Sequence, residues 1–363
     1  MKKIGSVFSI LVFSLAATAQ QVPNAGFEDW SAEPFNKKYP QPASWHASNV
    51  EQFGLKFNFA HQEAGHTGKY AMMVQDQEVG AAGIKETSPG YFSLGHPWVY
   101  IENLFKVKYA SAGTYGGIEW KYCPDTMSVW IKRTGENVMK EDFYLLYYAW
   151  CGNARGDEYK NKIETCTRVT HINEESDIRL ALDGNECGTT EKVPQIAEGM
   201  WRERREYSRW TNIRVPIYYM SNETPTMMNI IFSASNYPNY RANTGLYAGN
   251  SLYVDDIQFI YSDKIQTIKI DGKVWKEFDG NTTKVQEYRL PASATAAPQR
   301  IECFRGAGSL TNAHGETARF QGRKLSSNEV TITPGVINGK PMTISVKSGD
   351  GKTTRTYLIR LTK

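Results

Sequence analysis

The sequence lacks the features that mark membrane-spanning and nucleic-acid-binding proteins. Its most apolar run, residues 4–15, is too short to cross a bilayer. The formal charge is only +4 over 363 residues, and the basic cluster at 202–206 is interrupted by acids. Such a mixture is typical of a solvated surface. The charge therefore predicts no nucleic-acid partner.

Linear motifs of catalysis and zinc binding are also missing. There is no Gly-x-Ser-x-Gly, no phosphate-binding glycine loop, and no Cys–His spacing typical of zinc. Adjacent carboxylates such as Glu141 and Asp142 would point to opposite faces of a strand, whereas a retaining glycosidase needs its pair about 5–5.5 Å apart on one site. We predict no catalytic residue. A glycan-cleaving hydrolase or lyase stays open, because a lyase site of Tyr, His and Arg leaves no linear motif.

Residues 1–19 have the pattern of a signal peptide. Met1–Lys3 is basic, an apolar stretch follows, and Ala17–Ala19 fits a cleavage site. We expect a soluble exported chain that is periplasmic, cell-surface or secreted. Five cysteines in an oxidising compartment leave at least one thiol free. Cys166–Cys187 is the favoured disulfide and Cys123–Cys151 a second candidate, while Cys303 is expected to be a buried free thiol.

Residues 20–262 are predicted to form an antiparallel β-sandwich or jelly roll. Short aromatic and β-branched runs alternate with Gly, Pro, Asn and Asp turns, without long helical periodicity. The clearest strands are Thr126–Ile131, Phe143–Trp150, Trp210–Tyr219, Met227–Ser233 and Leu252–Tyr261. A polar excursion at 151–207 interrupts this rhythm, with a helical turn expected near 194–200.

Residues 263–363 have the spacing of a smaller, immunoglobulin-like β-sandwich. The expected strands are Ile265–Ile270, Glu287–Leu290, Arg300–Phe304, Glu329–Ile332, Met342–Val346 and Arg355–Leu361. Asp-Gly and Asn-Gly turns separate several of them. We therefore expect an all-β protein of two domains, 20–262 and 263–363, after the signal peptide.

The strand around Asp255 carries an unusual carboxylate. By strict alternation Asp255 shares a face with Ile257 and Phe259, and therefore with the core. A carboxylate there must be paired, hydrogen-bonded or metal-bound. If the first and last strands are neighbours, Glu28 can meet it, and hard oxygen ligands favour calcium. Hydrogen bonds, or ion pairs with Lys or Arg, are the alternative.

Several segments resemble the putative carbohydrate metabolism domain, a family found in exported proteins of Bacteroides-type bacteria. They are residues 229–236, the turn at 245–249, residues 251–256, the segment 117–122 and the strand 210–218. The resemblance implies a jelly roll similar to calcium-containing carbohydrate-binding modules. It also implies a structural calcium held by Glu28 and Asp255, with backbone carbonyls from a loop containing Thr67 and Lys69.

Glycan binding is the predicted function. Aromatic rings stack on sugar C–H faces beside polar groups, and our candidates are Trp130, Tyr148 and Trp150. Trp130 lies on the opposite face from Val129 and Ile131, away from the expected core. The expected partner is a polysaccharide or oligosaccharide. The alternative is a structural module that contacts other outer-surface proteins.

Overall fold

The computed structural model describes residues 20–32, 35–52, 54–81, 83–100, 111–151, 195–235, 246–306, 308–311, 317–320 and 322–363. The predicted signal peptide and both cysteines of the favoured disulfide, Cys166 and Cys187, lie outside these ranges. The secondary structure of the described residues is all β, as predicted. They include no helix that is long and apolar enough to cross a membrane.

The described residues up to 260 form short strands joined by turns and loops. In chain order, the strands are β1 His46–Ala47, β2 Val50–Gln52, β3 Leu55–Phe57, β4 Ala60–Ala64, β5 Tyr70–Gln75, β6 Gln77–Ala81, β7 Ile84–Ser88, β8 Tyr91–Ser93, β9 His96–Tyr100, β10 Ser111–Tyr115, β11 Ile118–Glu119, β12 Thr126–Thr134, β13 Phe143–Trp150, β14 Gln195–Glu203, β15 Tyr207–Pro216, β16 Tyr218–Tyr219, β17 Met227–Ser233 and β18 Ser251–Ile260.

Two antiparallel sheets form the large sandwich. Sheet A has the order β1-β8-β17-β13-β14-β16, with β11 beside β17, and sheet B has the order β15-β12-β18-β5-β4. Alternate residues of both sheets meet in one hydrophobic core, including Leu145 and Phe232 from sheet A and Val129 and Val254 from sheet B. The predicted all-β sandwich is therefore confirmed. The helical turn expected near 194–200 is wrong, because β14 pairs with β13 over this stretch.

The opening segment of the sandwich runs beside β18. Residues 251–254 of β18 pair with β5. Beyond them, β18 is hydrogen-bonded to the opening segment, residues 20–28, which we call the chain head. Ile257 N donates to Ala25 O at 2.9 Å, and Phe259 N donates to the Gln21 side chain at 2.6 Å. Phe27 anchors this segment, since its side chain is fully buried in the core. The first and last parts of the large sandwich are therefore neighbours.

The remaining strands form a smaller sandwich with its own hydrophobic core. They are β19 Thr267–Ile270, β20 Lys273–Val274, β21 Gln286–Arg289, β22 Ile301–Arg305, β23 Gly308–Thr311, β24 Thr317–Phe320, β25 Arg323–Lys324, β26 Val330–Thr333, β27 Met342–Lys347 and β28 Thr354–Thr362. Its two main sheets have the orders β20-β19-β22-β25 and β21-β28-β27-β26. The β21–β28 pair is parallel, whereas the other pairs of these two sheets are antiparallel.

Three cysteines lie in the described ranges, and all three are free thiols. Cys303 is buried in the smaller core, which confirms the expected buried thiol. Cys123 and Cys151 are not bonded to each other, so the second disulfide candidate is wrong. Cys123 packs where the large sandwich meets the small one, with its N–H donating to Gly349 O at 3.3 Å.

Candidate binding face and carboxylate loop

A β-bulge in β18 sets the direction of the Asp255 side chain. Ser128 of β12 lies opposite Gln258, whereas Trp130 lies opposite Asp255, so β18 carries one extra residue between these pairs. Asp256 lies in this bulge and has a positive φ of 48°. Asp255 therefore projects from the outer face of sheet B, beside Trp130. The expectation that Asp255 faces the core is wrong, because strict alternation fails across a bulge.

Asp255 is nevertheless fully buried, because the turn between β4 and β5 folds over it. We call residues 65–70 the carboxylate loop. His66 N and Thr67 N donate to Asp255 Oδ2 at 2.7 and 3.3 Å, and Asp256 N donates to Oδ1 at 2.7 Å. Burial raises the pKa of Asp255 to about 6, although these donors act in the opposite direction. A cation beside the carboxylate would favour its charged form.

Glu28 binds the same loop from the chain head. Its Oε1 accepts hydrogen bonds from Lys69 N at 2.8 Å and from Tyr70 N at 3.0 Å. Gly68 permits this approach, since its φ is +61° and a Cβ there would lie 2.2 Å from Glu28 Oε1. Glu28 and Asp255 are thus joined through one six-residue loop.

Several oxygen atoms of the carboxylate loop converge at Gly65. A Cβ at this position would lie 2.3 Å from Thr67 O, 2.8 Å from Tyr70 O and 3.1 Å from Asp255 Oδ2. Carbonyl and carboxylate oxygens are the ligands that calcium prefers. The space that a side chain at Gly65 would fill is therefore lined by oxygen atoms that could act as ligands of this ion.

The loop carbonyls differ in part from the implied ligand set. Thr67 O lies at the Gly65 space. Lys69 O instead accepts a hydrogen bond from Gly65 N at 3.3 Å. Tyr70 O, and not Lys69 O, is the second loop carbonyl at the Gly65 space. In the described part of the chain, no group of three or more His, Cys, Asp or Glu side chains could hold a metal. Calcium would therefore depend on backbone oxygens as well as on Glu28 and Asp255.

A group of partly exposed rings covers the outer face of sheet B next to this loop. The His66 ring stacks on Trp130, with centroids 3.8 Å apart and an interplanar angle of 15°, and Trp210 meets His66 edge-on at 5.9 Å. Lys132 Nζ lies 3.9 Å from the Tyr253 ring centroid and 5.6 Å from that of Trp210. All five side chains are half-buried. We call these five residues the aromatic platform.

The carboxylate loop positions one member of the platform directly. His66 Nδ1 lies 2.7 Å from Asp256 Oδ2, and Thr67 Oγ1 donates to Asp256 Oδ1 at 2.7 Å. These contacts fix the loop end that carries the His66 ring over Trp130. The bulge that turns Asp255 outward therefore also helps to build the aromatic surface.

Tyr148 and Trp150 lie on a different sheet and are closed to solvent. They are 1% and 0% exposed, with ring centroids 5.6 Å apart. Asn229 Nδ2 donates to the Tyr148 hydroxyl at 2.9 Å, and Gly117 packs against Trp150. Neither ring offers a free face to a sugar. Of the three predicted aromatics, the structure leaves Trp130 partly exposed.

Sequence reasoning missed four members of the platform: His66, Lys132, Trp210 and Tyr253. Lys132 follows Trp130 by two residues and so shares its face, a signal that the sequence does contain. The neighbourhood of Trp210 and Tyr253 depends on β12 lying between β15 and β18. Strand order of this kind cannot be obtained from alternation.

Comparison with known proteins leaves the family of the chain open. No protein-family model matches it, and no curated protein matches it. Among solved structures, it is similar to a protein from Bacteroides vulgatus described as a putative glycoside hydrolase, with 16% identity, a TM-score of 0.41, and coverage of 65% of this chain and 96% of that one.

Two further structures are similar to a comparable part of the chain. One is described as a putative glycoside hydrolase from Bacteroides thetaiotaomicron, with 13% identity, a TM-score of 0.40, and coverage of 66% of this chain and 70% of that one. The other is the K3 cleaved adhesin domain of Lys-gingipain from Porphyromonas gingivalis, with 11% identity, a TM-score of 0.27, and coverage of 64% and 95%. Likenesses of this strength assign no activity to the chain.

Proposed function

We propose that the protein binds a polysaccharide or oligosaccharide without cleaving it, through the aromatic platform. The observation that carries this proposal is the grouping of Trp130, His66 and Trp210 as half-exposed rings on the outer face of one sheet. Rings of this kind stack on the C–H faces of pyranoses, while neighbouring polar groups bind hydroxyls. Asn212, opposite Trp130 on the same face, is such a polar neighbour.

We further propose an exported location, on the cell surface, in the periplasm or outside the cell.

Replacing Trp130 by alanine is expected to weaken glycan binding about tenfold or more, equivalent to ~1.4 kcal/mol, because it removes the stacking ring and the support of His66. Glycan arrays identify a ligand, and affinity gel electrophoresis then compares the variants. The matched control is Tyr288→Ala, a half-buried ring of the smaller sandwich, which should bind as the wild type does.

Two results would contradict this function. Wild-type protein that binds none of the arrayed glycans would exclude it, as would reducing-end or unsaturated-product release from a polysaccharide that the protein degrades. Thermal unfolding of both variants establishes that any loss of binding comes from a folded protein.

We also propose a structural calcium at the carboxylate loop, held by Glu28, Asp255 and the carbonyl oxygens near Gly65. The ion would join the chain head, the β4–β5 turn and β18 by neutralising two carboxylates at one place. The ion would stabilise the fold and hold in place the loop that carries His66, and it would take no part in catalysis.

Calcium removal is expected to lower the melting temperature of the wild type, since a ligand at 100 times its Kd stabilises the folded state by ~2.7 kcal/mol. Asp255→Asn should abolish the difference in melting temperature between protein in calcium and protein in chelator. Asp263→Asn, which alters an ion pair of the smaller sandwich, should preserve this difference. Elemental measurement that finds no calcium, together with a melting temperature indifferent to chelator, would exclude the ion.

A further inference from the structure

The aromatic platform carries positive charge that no described acid neutralises. Lys132 Nζ is held between the rings of Tyr253 and Trp210. A ring face attracts the ammonium but supplies no hydrogen-bond acceptor for its N–H groups. Over the described ranges, none of the ion pairs or hydrogen bonds connects Lys132 to a carboxylate. Its charge is therefore fixed in position and available to a ligand.

A second cation lies on the same face of sheet B. Arg214 is exposed and pairs with Ser128 across β12 and β15. Ser128 precedes Trp130 by two residues, and Lys132 follows it by two. At ~3.3 Å per residue, the two cationic positions are separated by ~13 Å along β12, with Trp130 between them. Within the described residues, Arg214 also has no acidic partner.

The acids nearest the platform are already engaged. Asp255 is buried and accepts three backbone hydrogen bonds, and both Asp256 oxygens contact the carboxylate loop. Glu63 is exposed on the same face, but it belongs to β4, at the far edge of the sheet from β12. In the described part of the chain, none of these acids contacts Lys132, so its ammonium is the charged group that the platform offers to a ligand.

We propose that the platform selects anionic glycans, whose carboxylate or sulfate groups pair with Lys132 and, more weakly, with Arg214 while the sugar rings stack on the aromatic side chains. This inference rests on the proposed function and names its ligand class. A charged donor facing an anion in a partly desolvated setting gives a stronger hydrogen bond than a neutral pair. An anion on the ligand would also supply a hydrogen-bond acceptor for the Lys132 ammonium.

The test compares pairs of polymers that share a sugar backbone and differ in charge. Full-length protein is titrated with polygalacturonate and with its fully methyl-esterified, neutral form, and in parallel with chondroitin sulfate and chemically desulfated chondroitin. We expect about tenfold tighter binding to at least one charged member of a pair than to its less charged partner. The first pair reports on carboxylate and the second on sulfate, so the two sources of the anion are distinguished.

Variants separate the platform from general charge attraction. Lys132→Gln should lose about tenfold in affinity for the charged polymer and retain the neutral one, and Arg214→Gln should lose about threefold. The matched control is Lys269→Gln, because Lys269 also lies over a ring, that of Phe304 at 5.2 Å, but in the smaller sandwich. It should bind both polymers as the wild type does.

The outcomes are distinct for the inference and for the proposed function. Equal affinity for charged and neutral polymers would overturn the inference and leave glycan binding intact, whereas no binding to any glycan would overturn both. A Lys132→Gln variant that keeps its preference for charge, or wild-type binding to polyglutamate as tight as to the glycan, would show unspecific attraction and also overturn the inference.

Discussion

Replacing Arg133 by methionine is expected to lower the free energy of unfolding of the large sandwich by about 3–5 kcal/mol, because several buried carbonyl groups lose a charged hydrogen-bond donor at ~1–3 kcal/mol each. Arg133 is 0% exposed. It reaches Val138 O and Arg205 O through one terminal nitrogen, and Glu141 O and Ala234 O through the other. The substitution leaves these carbonyls without that donor.

The effect should be large because this guanidinium connects the two sheets. Arg133 belongs to β12 of sheet B, whereas Ala234 follows β17 of sheet A. Burial lowers the pKa of Arg133, and the carboxyl groups of Glu141 and Asp76 raise it. Methionine keeps much of the length of the side chain, so the loss of stability would measure mainly the missing hydrogen bonds and charge rather than a cavity.

Urea unfolding provides the measurement, and the preceding residue provides the control. Lys132→Met changes the same charge on the outer face of the same strand and should shift the unfolding free energy by less than about 1 kcal/mol. A loss below about 1 kcal/mol for Arg133→Met would mean that the surrounding carbonyls find other donors and that the network does not join the sheets.

Strand positions could be predicted from the sequence, and side-chain environments only in part. Phe143–Trp150 and Met227–Ser233 are strands with the predicted bounds, because aromatic and β-branched runs bounded by turns have few alternatives. Within Phe143–Trp150, however, all eight residues are buried. When both faces of a strand are apolar, alternation cannot identify a surface aromatic. The prediction of Tyr148 and Trp150 as ligand-binding rings is wrong for this reason, since both lie inside.

The bulge at Asp255 left a signal in the sequence. Leu252 and Val254 mark one set of alternate positions as core, and Ile257 and Phe259 mark the other set. A regular strand cannot bury both sets on one face, so an extra residue has to lie between Val254 and Ile257. The platform left a weaker signal, since its residues come from strands whose neighbours the sequence does not specify.

A second large effect is expected from Glu141→Gln, which should stabilise the protein at pH 8 by about 2–3 kcal/mol. Glu141 and Asp76 are 1% and 0% exposed and are close enough for each to shift the pKa of the other. Burial raises the pKa of Glu141 to about 7. Burial, followed by the charge of Glu141, raises the pKa of Asp76 well above its usual value.

The direction of the pH dependence follows from these shifts. In the unfolded chain both carboxyl groups ionise near pH 4, whereas in the folded protein burial keeps Glu141 protonated to about pH 7. The folded state therefore binds more protons than the unfolded state between these values. The contribution of Glu141 to stability is therefore complete below about pH 4 and is lost as the pH rises through about 7.

Glutamine reproduces the protonated form without a titrating group. Its amide N–H₂ can donate to Asp76, and its carbonyl oxygen can accept from Asn250 Nδ2, which already contacts Glu141 Oε1. The difference in unfolding free energy between Glu141→Gln and the wild type should therefore grow from near zero at about pH 5 to its full value at about pH 8. Taking this difference removes the contributions of other titrating groups common to both proteins.

The neighbouring residue again supplies the comparison. Asp142→Asn removes a carboxylate whose oxygens pair with Arg202 and Arg204, so it should destabilise modestly and leave the loss of stability around pH 7 in place, because Glu141 is still present. If Glu141→Gln were destabilising at pH 8, or ran parallel to the wild type across this range, the pair would be ionised and balanced by Arg133. The loss seen in Arg133→Met would then itself steepen with pH, because that guanidinium would be the counter-charge of two carboxylates rather than of one.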